Sequence, residues 1–185
     1  LQDGTTYGLP EIKGSQNMKP RFLVITALSV SVVCATLLVE MPVKIIYNPT
    51  NSAPKGYYIV QETTPKVGDY ALSNLPMGAQ ILAAERQYLP IYVPILKPIA
   101  AGYGEHVCVR NARIFINGKA VAKLLDRDSK GRILSPWMGC RFLREDEFLL
   151  LSTYSPYSFD SRYFGPVTRK MIIGKAAPLW ISNSK

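Results

Sequence analysis

The sequence predicts a mainly β domain with a minor helical part, carried behind one apolar N-terminal segment. Short runs rich in Val, Ile, Tyr and Phe recur along the chain, bounded by Gly, Pro and Asn. Asn117-Gly118 between Ile116 and Ala120-Val121 is a hairpin signal, because both central positions of such a turn favour positive φ. Outside the apolar run, only residues 79–88 (AQILAAERQY) combine helix formers with helical spacing. No repeat or low-complexity linker interrupts the pattern. A chain of 185 residues with 48% hydrophobic content can bury the core of one domain.

From the N-terminus, residues 1–21 read as a tail. Residues 1–17 show no periodicity, and Met18-Lys-Pro-Arg resembles a basic start, so 1–17 are expected to lie upstream of the natural start or to be dispensable. Residues 22–39, FLVITALSVSVVCATLLV, run uncharged between Arg21 and Glu40 and are just long enough to cross a bilayer. Lys19 and Arg21 precede them, which places the N-terminal side in the cytoplasm and residues 40–185 outside. Two readings stay open, an uncleaved anchor and a removed signal. The domain is accordingly expected on the outer side of a membrane, either anchored to it or released from it.

Residues 43–47 read as an extended lead into a loop, 48–56, that Pro49, Pro54 and Gly56 keep from being helical. Strands are expected at 57–61 and 70–73, with a turn at 63–69 between them. Leu89 to Ala101 is apolar except for Lys97, and its three prolines favour short extended pieces over a helix. Residues 106–111 and 113–116 read as strands, 124–134 as an exposed hairpin or loop, 148–152 as a buried strand, 155–165 as a loop and 171–180 as a final strand.

The formal charge is 22 − 13 = +9. The cations are scattered and no basic helix or aromatic-basic motif groups them, which argues against a nucleic-acid partner and suits an anionic lipid surface or plain solubility. Of the three cysteines, Cys34 lies in the apolar run; export favours a Cys108–Cys140 disulfide, against the alternative of two buried thiols. His106 and Cys108 have no second ligand pair at zinc spacing, so no metal is expected. No cofactor is expected either.

The chemistry centres on Ser52 and Lys97. Ser52 sits among turn formers, exposed and rigid. Lys97 stands alone among Val93, Pro94, Ile95, Leu96, Pro98 and Ile99, where it either snorkels to water or loses its proton through burial. A neutral lysine can take a proton from a serine hydroxyl, and such Ser-Lys pairs are a variant of the triad logic. With one histidine in the chain, a Ser-His-Asp triad would need His106, and no acid-His-Ser pattern supports it.

Asn48-Pro-Thr-Asn-Ser-Ala-Pro-Lys-Gly-Tyr-Tyr58 resembles the nucleophile loop of the signal-peptidase superfamily, and in particular of its TraF-type conjugative-transfer branch. Ser52, Pro54, Gly56 and Tyr57 stand at the matching positions. Leu96-Lys97-Pro-Ile-Ala-Ala101 with Gly104-Glu105 is similar to the lysine box, with Pro98 in place of a basic residue and Glu105 in place of an aspartate. Phe159-Asp-Ser-Arg-Tyr-Phe-Gly165 resembles the Asp-Ser-Arg box, Ile173-Gly-Lys-Ala-Ala-Pro-Leu179 the terminal strand, and Gly68-Asp69 the Gly-Asp turn.

The resemblance implies a signal-peptidase-like antiparallel β catalytic domain with Ser52 as nucleophile and Lys97 as general base. It also implies Thr50 as an oxyanion donor beside the Ser52 backbone N–H. Asp160 is expected either to orient the lysine region through Ser161 or Arg162 or to form a structural ion pair with Arg162. Tyr57 and Tyr58 are candidates for the substrate groove. The implied partners are an exported precursor, a conjugative pilin in this branch, together with inner-membrane lipid and the transfer machinery. The implied outcome is leader or C-terminal trimming, or pilin cyclisation. The competing readings are a general leader peptidase and a non-catalytic exported β domain that binds a pilus or secretion partner.

Overall fold

The computed structural model describes residues 20–38 and 44–182, with side chains from 35 to 38 left out. The predicted tail, apart from Pro20 and Arg21, and Val39 lie outside the described residues. The chain divides into two units, Leu1–Met41 and Pro42–Lys185. The first contains α1 (Pro20–Leu38), whose described side chains are all exposed. Among the described residues, no helix is long and apolar enough to cross a membrane.

The second unit is mainly β, as its pattern predicts. Its strands are β1 (Lys44–Asn48), β2 (Gly56–Gln61), β3 (Tyr70–Ser73), β4 (Ile95–Ala101), β5 (His106–Arg110), β6 (Arg113–Ile116), β7 (Lys119–Lys123), β8 (Cys140–Phe142), β9 (Glu147–Leu150), β10 (Val167–Thr168) and β11 (Ile172–Ile181). Two short helices, α2 (Met77–Glu85) and α3 (Ser161–Phe164), interrupt them. One sheet runs β1-β2-β11-β3-β4-β9-β10 and the other β7-β6-β5-β8. Every strand pair is antiparallel.

Local chemistry explains the boundaries. Asn117 (φ 49°) and Gly118 (φ 80°) form the expected two-residue turn, with Ile116 opposite Lys119. A second such turn, Asn111 (φ 50°) and Ala112 (φ 53°), joins β5 to β6. It ends the strand one residue before the expected position, and its alanine hides it, since residues with a Cβ seldom take positive φ. Helix α2 begins two residues earlier than its propensity suggests, behind Pro76, and stops before Gln87 at φ 57°. Tyr88 is thereby released from the helix; its N–H still reaches Ala83 O at 2.8 Å.

Alternation in β2 buries Gly56, Tyr58 and Val60 and turns Tyr57 outward. Gly56 takes φ 152°, and a Cβ there would meet Trp180 O at 2.0 Å. Only glycine lets β2 approach β11 that closely while leaving the preceding loop. Three apolar clusters fill the unit. One lies beneath α2 around Ala83, Ile99 and Leu150, one between the sheets around Val107, Ile114 and Leu149, and one beneath the 48–56 loop around Ala53, Tyr58 and Leu96.

Candidate active site

Asn48, at the end of β1, organises the loop that follows it. Its side-chain amide donates to the carbonyls of Thr50, Ala53 and Pro54, each at 3.1 Å. Its Oδ1 accepts the Thr50 N–H at 3.2 Å and the Thr50 hydroxyl at 2.8 Å. The hydroxyl of Thr50, with its proton on Asn48, is left to accept from Ser52 Oγ at 2.8 Å. Ser52 is half-buried while Ala53 beside it is buried, so the loop is pinned by an apolar peg and exposes one hydroxyl. Tyr58 closes the loop from below by donating to Pro54 O at 2.7 Å.

Lys97 comes from the middle of β4, opposite Ala71 of β3. It is only 5% exposed. Its ammonium does not snorkel; Nζ donates to Ser158 Oγ at 2.8 Å. Burial pulls its pKa from 10.5 down to about 8, against the raising effect of Asp160 and with a further lowering from Arg162.

The segment after β9 braces the lysine. Asp160 and Arg162 are buried and paired through two contacts of 2.8 Å, Nε to Oδ1 and Nη2 to Oδ2. Asp160 also caps α3 by accepting the Arg162 N–H. The Arg162 guanidinium gathers the carbonyls of Lys123, Ser152, Ser155, Pro156 and Ser158 at 3.1–3.4 Å. Ser161 instead accepts the N–H of Leu150 at 3.0 Å. Of the two expectations for Asp160, the ion pair is the contact seen, and it sits beside the lysine's partner Ser158.

An open groove of about 670 Å³ joins these parts. Thr50, Ser52, Lys97 and Ser158 all line it, with Leu72, Leu96, Tyr88, Phe159 and Tyr163 supplying apolar walls. Tyr57 and Tyr58 do not line it. Strand alternation sends Tyr58 into the core and Tyr57 to the outer face, where its ring lies 5.0 Å from Tyr47 and 6.2 Å from Trp180. The 124–134 segment reaches the groove through Asp128 and Ser129. Asp128 is held there by the Tyr88 hydroxyl, by Arg132 Nε at 2.6 Å and by the N–H groups of Lys130 and Arg132 at 2.9 Å. Cys108 and Cys140 form a disulfide between facing positions of β5 and β8.

Asn48, Ser152 and Ser158 are the polar residues that sequence reading passed over. Asn48 opens the quoted loop and Ser158 directly precedes the quoted Asp-Ser-Arg box, so position was the available signal for both.

A serine hydroxyl and a buried lysine line one groove of an antiparallel β unit, in a chain whose sequence resembles the signal-peptidase superfamily. The chain belongs to that family: residues 18–181 match the model for signal peptidase, peptidase S26. Within it, the chain is similar to the plasmid transfer protein TraF of Escherichia coli, with 32% identity over 71% of this chain and 80% of that protein. It is also similar to the conjugal transfer protein TraF of Agrobacterium fabrum, with 33% identity over 72% of this chain and 80% of that one. A signal peptidase I of Enterococcus faecalis overlaps 61% of this chain and 97% of its own, with TM-score 0.35 and 20% identity.

Proposed function

We propose that the chain is a serine endopeptidase with a Ser52–Lys97 dyad, acting on exported precursor proteins of a conjugative transfer system. The observation that carries this reading is Lys97, buried on the same groove as Ser52 and brought to a pKa of about 8. An ordinary lysine near 10.4 is almost fully protonated at neutral pH, whereas a group near 8 leaves roughly a tenth as free amine.

The steps follow from that. Neutral Lys97 takes the Ser52 proton as Oγ attacks the scissile carbonyl, and as an ammonium it returns that proton to the leaving amine. An acyl-enzyme on Ser52 remains. A water activated by the again neutral Lys97 releases it, or a substrate amine in water's place closes a ring. Ser52 must first turn its hydroxyl from Thr50 toward Lys97. The Ser52 N–H is one donor for the developing oxyanion; Thr50 supplies a second once its proton leaves Asn48 for the substrate oxygen.

The transfer context comes from the likeness to the TraF proteins. It makes a pilin precursor the first substrate to try and supports a domain acting in the periplasm, with the 22–39 segment as anchor or signal. The test is incubation of the purified protein with candidate pilin precursors, with product masses read for trimming or ring closure. Cleavage that disappears in Ser52→Ala supports the reading; equal cleavage by Ser52→Ala removes it.

A further inference from the structure

Ser152, two residues beyond the end of β9, the strand beside Lys97's own in the sheet, takes no part in the proton transfer described above. It is fully buried, and its Oγ donates to the backbone carbonyl of Ser52 at 2.5 Å. The direction of that bond is fixed because a carbonyl oxygen can only accept; Oγ in turn accepts the N–H of Tyr154 at 3.2 Å. The Ser152 backbone is committed as well. Its N–H donates to Asp160 Oδ2 at 3.1 Å, and its carbonyl accepts from Arg162 Nη2 at 3.4 Å. Each polar group of this residue is therefore spoken for, and one of them reaches across a hundred residues of sequence to the nucleophile.

We propose that Ser152 is the positioning residue that sets Ser52 in register with Lys97, an inference that rests on the dyad reading above. The Asn48 network shapes the 48–56 loop from within, but nothing in it refers to Lys97. Ser158, which holds Lys97 Nζ, belongs to the same short segment as Ser152, and the Asp160–Arg162 pair ties both down. Segment 152–162 thus grips the base at its side chain and the nucleophile at its main chain. Loss of the Ser152 hydroxyl frees the Ser52 carbonyl and lets the loop shift while the base stays where it is.

The test compares Ser152→Ala, Ser152→Thr and Ser52→Ala in the full chain on one cleavable precursor peptide. Ser152→Ala is expected to lower kcat on the order of 10- to 100-fold, the range a misplacement of about 1 Å produces, with KM within about twofold. The midpoint of its kcat–pH profile should stay at the wild-type value, because Lys97 keeps its partner Ser158. Ser152→Thr, which retains a hydroxyl, should recover most of the loss. Thermal melting of each variant separates position from folding. Wild-type kcat in Ser152→Ala overturns the proposal; so does a loss that matches the unfolded fraction, or a shifted pH midpoint. Turnover by Ser52→Ala would instead remove the dyad reading itself and leave the Ser152 contact structural.

Discussion

The loop from Asn48 to Gly56 and strand β4 hold the two halves of the site by different forces. Apart from the Ser152 hydroxyl, the restraints around Ser52 are short-range and polar: one buried amide, one threonine hydroxyl and the Tyr58 phenol, all within eleven residues of sequence. Around Lys97 they are long-range and mostly apolar, since Leu72, Leu96 and Phe159 flank the groove and the polar contact comes from Ser158, 61 residues away. The difference suits the role proposed for each group. A nucleophile needs direction, which hydrogen bonds give. A basic lysine at neutral pH needs to be kept from water, which only tertiary packing gives.

The sharpest way to break that contrast is to remove either half. Ser52→Ala and Lys97→Ala should each lower kcat on the order of 10⁴-fold or more, and the double variant should be no worse than either single one, as expected of groups that act as a unit. Additive losses in a single-turnover assay would separate the two residues. Thr50→Val should cost about 3 kcal/mol in kcat/KM if its hydroxyl serves the oxyanion; a wild-type value would leave Thr50 a loop residue only.

Lys97→Met sharpens the comparison from the stability side. A fall in pKa from 10.5 to about 8 means that the folded protein carries the buried ammonium below pH 8 at a cost of about 3 kcal/mol. The unfolded chain holds that proton more tightly, so wild-type stability rises with pH between about 8 and 10.5. Chemical denaturation should find Lys97→Met more stable than wild type at pH 7 by about 2 kcal/mol, after the lost bond to Ser158, with the gap closing above pH 10.5. Asn48→Ala should do the opposite. It strips the buried carbonyl of Ala53 and the half-buried carbonyl of Pro54 of a donor and should cost about 2 kcal/mol at every pH. The smallest effect is in the wild-type pH profile, where kcat should rise roughly tenfold from pH 7 to a plateau above about pH 9, with its midpoint near pH 8, as Lys97 loses its proton.

The same contrast explains what could be read from the sequence. Ser52 among prolines and Lys97 in an apolar run are anomalies of local composition, visible without a structure. The strands were legible from their β-rich runs and the Asn117-Gly118 turn from its residues. Ser152 and Ser158 are ordinary serines in a serine-rich loop until the chain folds. Their meaning lies in distances to Ser52 and Lys97 that no spacing reveals. Tyr57 and Tyr58 show the converse: both are near Ser52 in sequence and neither lines the groove, because nearness in sequence says nothing about which side of β2 a ring takes.

Arg162 gathers carbonyls from the 152–158 loop and, at 3.3 Å, from Lys123 at the end of β7 in the second sheet. Its buried charge is compensated only when Asp160 and these oxygens converge, and a buried ion stripped of its partners is strongly unfavourable. The arginine therefore joins the second sheet to the segment that carries Ser158, so a disturbance at the end of β7 has a direct polar route to the partner of Lys97.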